Sequence, residues 1–418
     1  MVRATTSKIW RLSSLNFLAP IILTFGVGVD NAHAQKGAPQ VRAPIPDGDV
    51  NAVIKQDGLS ESAKTAKEMV HGWTKPKLMI VHIDRPDRLA WLQKAIPDVK
   101  LVGVGGPEKG NLEQNIAEVM PYAAEADAFV EGANTENLLC TTTLLHAAKK
   151  LKWIQWDGAG ADGCIKVDPS VAAGKYILTS SAKIRNDNVA EDTTVGMLAL
   201  MRGIDLFARQ NVDGHADTKG LGERGWKING RILLVVGLGG IGTDIAEKAH
   251  AFGMRIIATR ASGHDGPPFV EYVGLADELP DLIGRADVVV MTAPLTPETR
   301  GLFNAAMFAR MKKGAIFVSA ARGEEVVQPD LIAALKNGQV GAAALRVYTP
   351  EPLPDHDPLF SAPNILIIPR AGAPKNVPAD EIDTDDENQN AWLVYRENMR
   401  RYAEGEKMLD VVDFKRGY

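Results

Sequence analysis

Ile232-Leu233-Leu234-Val235-Val236-Gly237-Leu238-Gly239-Gly240-Ile241-Gly242 is the stretch that decides the fold. Five consecutive apolar residues read as a buried strand, and the helical stretch Thr243 to Phe252 follows the glycines. Gly237 to Gly242 fit G-x-G-x-x-G in the strand–turn–helix setting that gives this pattern meaning. The first glycine permits the tight turn, the second lets the backbone approach a pyrophosphate, and the third lets helix and strand pack closely. Leu238 and Ile241 complete the turn, and free N–H groups with the positive end of the helix dipole await phosphate there. Cofactor choice is read at the end of the next strand, Arg255 to Thr259. A carboxylate there accepts from the ribose 2′-OH and favours NAD, whereas an arginine accommodates the extra phosphate of NADP. Arg260 stands at that point, followed by Ala261 and Ser262, so NADP is expected over NAD.

Further strand-like runs follow at Val288 to Thr292, Ala315 to Ser319 and Ala342 to Val347, making one βα series from Arg231 to about Pro369. An earlier series begins at Lys77, with runs at Leu78 to Val81, Leu101 to Val104, Ala128 to Glu131, Trp153 to Trp156 and Tyr176 to Thr179. Strands alternating with helices predict parallel sheets covered on both faces. The expected fold is therefore α/β with two doubly wound domains, and ligands bind between them. A helical pattern from Val189 to Ala208 joins the series, and a polar stretch, Gln210 to Arg224, follows it. Residues 35–74, rich in Pro, Gly, Gln and Asp, read as a linker or N-terminal arm with one short helix near Glu61 to Val70.

The remaining sequence excludes several classes. The chain has 418 residues, 47 Lys and Arg against 52 Asp and Glu, and no basic run that would mark a nucleic-acid partner. No two histidines have metal-ligand spacing, so no metal is expected. No nucleophile elbow or phosphate-binding G-x-x-x-x-G-K-[ST] occurs either, which leaves hydrolase and kinase readings without support. At the N-terminus, Arg3, Lys8 and Arg11 precede an apolar run from Leu15 to Val29, and Ala32-His33-Ala34 follows. This is the pattern of a secretory signal cleaved after Ala34, because the run is short of the ~20 residues needed to span a bilayer and contains Pro20. A periplasmic or secreted protein with no membrane attachment after cleavage is expected. In an oxidising compartment Cys140 and Cys164 can pair. Each follows a strand of the first series, and successive parallel strands put both exits on one edge; two separate buried thiols are the alternative.

The chain resembles the D-isomer-specific 2-hydroxyacid dehydrogenases from about Lys77 to the C-terminus. Leu151 to Gln155 with Gly158-Ala159-Gly160-Ala161-Asp162 looks like the family's substrate-domain strand and carboxylate-binding loop. Asn188 to Glu191 resembles the start of its interdomain helix, and Ala293-Pro294 to Thr299 the loop beside the adenosine. Ala320-Ala321-Arg322-Gly323 resembles the motif of the catalytic arginine, and Glu351-Pro352-Leu353 that of the glutamate. The tail through Val411-Val412-Asp413 and Arg416-Gly417-Tyr418 also matches. The resemblance implies a discontinuous substrate domain of flavodoxin-like type, 75–188 with 370–418, and a Rossmann-type nucleotide domain, 189–369. It also implies a homodimer, and a hydride passed between NAD(P) and a small 2-hydroxy or 2-oxo acid. Arg322 would grip the carboxylate, aided by the N–H groups of Ala159 and Gly160, while Pro294 and Ala320 border the cofactor.

Three positions depart from the pattern. The family's proton donor is a histidine that the glutamate holds, yet its place reads Ile368-Pro369-Arg370. Arginine cannot release a proton near neutral pH. The aspartate of Leu-Asp-Val is Arg346, and valine replaces the aspartate in the run Arg322 to Val327. Three readings follow. Hydride still moves and water or another group supplies the proton, with Lys183, Tyr348 and His356 as candidates. Or Arg370 pairs with Glu351 and adds a second anion-binding group, suited to a dicarboxylate or phosphorylated acid. Or the protein is a catalytically silent binder of a dinucleotide or an acid. An Arg370–Glu351 ion pair of purely structural meaning stands beside them. His82, His146 and His250 fall on strand or helix patterns and read as structural residues.

Overall fold

The computed structural model describes residues 48–414 apart from 84, 106–111, 133–137, 185–186, 215–216, 219–220, 222–223, 226 and 369–388. The signal-like segment, Arg370 and the last four residues therefore lie outside the described residues, as do the side chains of residues 187 and 188. The chain opens with α1 (Val50–Asp57), β1 (Glu61–Thr65) and α2 (Ala66–Met69). A βα series follows: β2 (Leu78–His82), α3 (Pro86–Gln93), β3 (Lys100–Val104), α4 (Leu112–Ala123) and β4 (Ala128–Glu131). It continues through α5 (Thr142–Ala147), β5 (Trp153–Gln155), α6 (Asp162–Ile165), α7 (Pro169–Ala172) and β6 (Ile177–Thr179). Two helices, α8 (Asp187–Arg202) and α9 (Ile204–Val212), lead to β7 (Ile232–Val236), α10 (Gly240–Ala251), β8 (Arg255–Thr259) and β9 (Val270–Gly274). After α11 (Leu279–Leu282) come β10 (Val288–Met291), α12 (Ala305–Arg310), β11 (Ala315–Ser319), α13 (Gln328–Lys336), β12 (Val340–Leu345) and β13 (Ile365–Ile367). The chain closes with α14 (Gln389–Glu404) and β14 (Lys407–Leu409).

The first series forms a five-stranded parallel sheet in the order β3-β2-β4-β5-β6, and the second a seven-stranded parallel sheet, β13-β12-β11-β10-β7-β8-β9. These are the flavodoxin-like and Rossmann orders, so the two-domain α/β expectation holds. In the larger sheet the order reverses between β7 and β10, the switch point where ligands bind. Both sheets are apolar on both faces, as buried parallel strands must be. Met197, Leu200 and Met201 of α8 pack with Ile245 and Ala249 of α10 on one face of the larger sheet. Phe308, Leu331 and Leu335 cover the other. In the smaller sheet, Ile80, Phe129 and Ile154 meet Val119 and Leu144 on one side. Val81, Val130 and Trp153 meet Leu92, Tyr395 and Tyr402 on the other.

Three local expectations are corrected. Residues 50–70 do not behave as a linker: Val53, Leu59, Ala66 and Val70 are buried in the same core as α14. Their Pro- and Gly-rich flanks hid a small apolar face that α14 needs covered. Within that stretch Glu61–Thr65 is a strand rather than a helix, paired antiparallel with β14, and only Ala66–Met69 is helical. The long helix from Val189 breaks at Gly203, whose φ of 71° lies in the left-handed region, and resumes as α9 to Val212. Cys140 and Cys164 are joined in a disulfide with Cα atoms 5.6 Å apart, within the ordinary span for such a bond.

Candidate functional site

The glycine turn leaves β7 at the switch point and is shaped by close backbone contacts. Gly237 has φ 102°, and a Cβ there would lie 2.4 Å from the Ala293 backbone nitrogen. The amides of Gly237 and Leu238 both donate to the Thr259 carbonyl at 3.0 Å, tying the turn to β8. A Cβ at Gly242 would lie 2.2 Å from the Gly237 carbonyl oxygen, so the third glycine is a helix–strand packing residue. Gly240 is equally confined, by the carbonyls of Lys183 and Ile184. Gly239 differs: a Cβ there would meet nothing nearer than 3.7 Å, which leaves its outer face open. The first amides of α10, from Gly240 through Ile241 and Gly242, have no carbonyl within the helix to bond. Confined first and third glycines, an open second one and free amides at a helix start fit a dinucleotide pyrophosphate.

Around this turn stand the other predicted cofactor residues. Arg260 follows β8, half-buried, with Nη1 donating to the Asp265 carbonyl at 2.7 Å, and no acidic side chain occupies 260–262. Ser262 is exposed in the same loop, Pro294 is half-buried after β10, and Ala320 is buried after β11.

A cleft of about 420 Å³ opens beside Trp156, Gly160, Asp162, Arg322, Glu324 and Glu351. Arg322 is its described cation. The guanidinium lies against Gly160, where a Cβ would sit 2.1 Å from Nη2. Nη2 also donates to Asp162 Oδ1 at 3.2 Å, and Nη1 to the Ala321 carbonyl at 2.9 Å. The predicted carboxylate loop and the predicted arginine are therefore brought together, with 39% of the arginine side chain still exposed. Trp156 Nε1 donates to the Gly160 carbonyl at 3.0 Å and holds that loop from behind. Beneath it the buried Tyr395 hydroxyl donates to Asp157 Oδ1 at 2.7 Å and bonds the Ser181 hydroxyl at 2.6 Å. Burial first, and then the Asp157 carboxylate, hold this phenol well above the ordinary tyrosine range. Ala159 lies half-buried in the same loop.

Glu351 is exposed at the cleft mouth, and Arg370 lies outside the described residues. Of the candidate proton sources, Lys183 bonds Ser60 Oγ and pairs with Asp410 at 3.4 Å. His356 is exposed in its loop and does not line the cleft. Tyr348 lines the cleft, although it packs with the nucleotide-domain core. Arg346, in the place of the family aspartate, pairs with Asp192 of α8 at 3.2 Å.

Sequence reasoning missed two residues. Asp162 reads in the sequence only as part of the carboxylate loop, and its pairing with Arg322 across 160 positions needs the fold. Glu325 is fully buried, directly behind Arg322, and the adjacent acid Glu324 leaves no sequence signal that sets it apart. Its Oε2 accepts the Arg322 amide at 3.0 Å, and burial pushes its carboxyl up to about 8.

Two doubly wound sheets and a glycine turn at the switch point of one define a dinucleotide-binding protein, and a guanidinium lines a cleft of the same chain. The family model described as D-isomer specific 2-hydroxyacid dehydrogenase, NAD binding domain, matches residues 194–372. Glyoxylate/hydroxypyruvate reductase B of Escherichia fergusonii is 33% identical over 293 residues, 68% of this chain and 87% of that protein. D-3-phosphoglycerate dehydrogenase of Methanocaldococcus jannaschii is 32% identical over 304 residues, 71% of this chain but only 53% of its own length. A crystal structure of a D-isomer specific 2-hydroxyacid dehydrogenase family protein from Aeromonas salmonicida is similar at TM-score 0.61 and 26% identity, covering 82% of this chain and all of that one. The chain belongs to the D-isomer-specific 2-hydroxyacid dehydrogenase family, NAD(P)-dependent oxidoreductases of hydroxy and oxo acids.

Proposed function

We propose that the protein interconverts a small 2-oxo acid and its 2-hydroxy acid, with NADP preferred over NAD and with Arg370 in the place of the usual acid/base histidine. The observation that carries this reading is the Arg322 guanidinium, held in the cleft over Gly160 and beside Asp162. Its planar fork matches a carboxylate and keeps its charge at any working pH. The amides of Ala159 and Gly160 lie in the same loop for the other carboxylate oxygen. The nicotinamide, when bound, supplies or takes the hydride. Arg322 would also stabilise negative charge developing on the substrate oxygen, the electrostatic contribution that most lowers such barriers. Arg260, with no acidic side chain at 260–262, supports the NADP preference, and charge-assisted contacts to a 2′-phosphate contribute about 1.5–3 kcal/mol each.

The deciding assay follows NADPH and NADH consumption over a panel of 2-oxo acids including glyoxylate and hydroxypyruvate, for wild type and Arg370→His. Slow wild-type turnover is expected, at least about tenfold better with NADPH. The histidine variant should gain on the order of 10²-fold, the usual worth of a positioned acid. Absence of turnover in both proteins would leave the silent dinucleotide- or acid-binding relative as the reading.

The Arg3–Ala34 pattern supports export, and the exposed Val195, Ile204 and Val212 on α8 and α9 support a homodimer. Native mass spectrometry of protein recovered from the exported fraction should show a chain starting at Gln35, in pairs. A monomer retaining Met1 would reject both statements.

A further inference from the structure

Behind the cleft lies a titratable group to which the proposed reaction assigns no task. Glu325 has no exposed surface, and its two oxygens are treated differently. Oε2 accepts the backbone amide of Arg322 at 3.0 Å, while Oε1, equally buried, has no hydrogen-bond partner among the described residues. The turn that carries it is closely confined. A Cβ at Gly323 would lie 2.3 Å from the Tyr348 carbonyl carbon, so residues 322–325 are pressed against the following loop. The Phe303 amide donates to the Glu325 carbonyl at 3.0 Å from the other side. Phe303 also forms an isolated bridge with Val326.

We propose that Glu325 is a positioning residue of the anion site: its buried carboxyl fixes the backbone of Arg322 from inside, and its charge state sets how strongly the guanidinium is available to a substrate carboxylate. The inference rests on the oxo-acid reading above. The charged groups around Glu325 are Arg322 and Glu324 of its own turn and Asp162 of α6. Burial disfavours the ionised form and raises the carboxyl to about 8, while the Arg322 amide and charge oppose that rise. With Glu325 neutral, Asp162, at 3.2 Å, is the one carboxylate paired with the Arg322 guanidinium among the described residues. An ionised Glu325 adds a second negative charge behind the same guanidinium, in a medium where charges are felt strongly. It therefore repels an incoming carboxylate. By reciprocity, bound substrate raises the affinity of Glu325 for its proton, and loss of that proton weakens substrate binding by the same factor.

The test compares wild type, Glu325→Gln and Glu325→Leu at saturating NADPH from pH 6 to 9.5, reading KM for the oxo acid and kcat separately. Glutamine retains an acceptor for the Arg322 amide but cannot ionise, whereas leucine provides neither. In wild type KM should rise at least about fivefold as the pH passes 8, with kcat changing less. Glu325→Gln should match wild type at pH 7 and lose the alkaline rise. Glu325→Leu should have a KM raised about tenfold at every pH, the effect of one lost hydrogen bond at a positioned group, with NADPH affinity unchanged. An alkaline rise in KM that persists in Glu325→Gln overturns the proposal while leaving the oxo-acid reading intact, and this decides the matter even if the leucine variant fails to fold. A wild type that neither turns over an oxo acid nor binds oxamate in calorimetry with NADPH present rejects the reading and the proposal together.

Discussion

Replacing Arg322 by glutamine should reduce kcat/KM for the best 2-oxo acid by on the order of 10³-fold, in the range found when one preorganised donor to a developing oxyanion is removed. The loss should appear in KM as well as kcat, because the same guanidinium is proposed to hold the carboxylate in the ground state. Lysine should rescue little. A compact ammonium cannot reproduce the planar fork that lies over Gly160 and reaches Asp162 at 3.2 Å. Stability should hardly move, since the Arg322 side chain is 39% exposed and exposed ion pairs contribute roughly 0–1 kcal/mol. Asp162 would retain Lys166, 3.0 Å away, as a partner. Steady-state kinetics with thermal melting and NADPH titration as controls checks this. A variant within tenfold of wild type would remove Arg322 from the substrate site.

Gly237→Ala should damage fold and cofactor site together. A φ of 102° is a conformation L-residues rarely adopt, costing about 1–2 kcal/mol. The added Cβ would fall 2.4 Å from the Ala293 nitrogen and 2.5 Å from its Cα. Both are backbone atoms of the loop after β10, so neither can swing aside. Overpacking of this kind costs about 1–3 kcal/mol more. The sum is a large share of an ordinary domain's stability of about 5–15 kcal/mol, and a melting shift on the order of 10 °C is expected. Gly239→Ala is the matched control. Its Cβ would meet nothing nearer than 3.7 Å, so the fold should keep its melting temperature while dinucleotide affinity falls. Equal NADPH affinity in wild type and Gly239→Ala would mean that the pyrophosphate does not lie against that face.

Much of this architecture can be read from local pattern. Runs such as Ile232–Val236 and Ala315–Val318 are apolar at every position because parallel strands are buried on both faces, and that pattern needs no partner to be seen. The strands that escape notice are short edge pieces. Val270–Gly274 exposes Glu271 and Tyr272, and Ile365–Ile367 is three half-buried residues. Residues 50–70 are misread for a related reason: four buried apolar side chains scattered among polar ones carry little signal until α14 is beside them. In the cleft, Arg322 and the Gly158–Asp162 loop are legible as separate motifs. Their contact is not, since it joins residues 160 apart in sequence. Glu325 is the hardest case, because nothing in Gly323-Glu324-Glu325 says which of two adjacent acids points inward.

The covalent link between Cys140 and Cys164 has a practical corollary. Cys164 lies in the four-residue turn that begins with Asp162, the carboxylate partner of Arg322, and Cys140 adjoins Leu138 and Leu139, whose amides both donate to the buried Glu131. The crosslink thus anchors one wall of the Arg322 cleft to the interior around the smaller sheet. Closing a 24-residue loop also removes about 3 kcal/mol of freedom from the unfolded chain. Material prepared with thiol reductants, or expressed where cysteines stay reduced, carries this wall without its staple. Kinetic constants should therefore be compared between oxidised and reduced preparations, with a looser cleft wall expected in the reduced one.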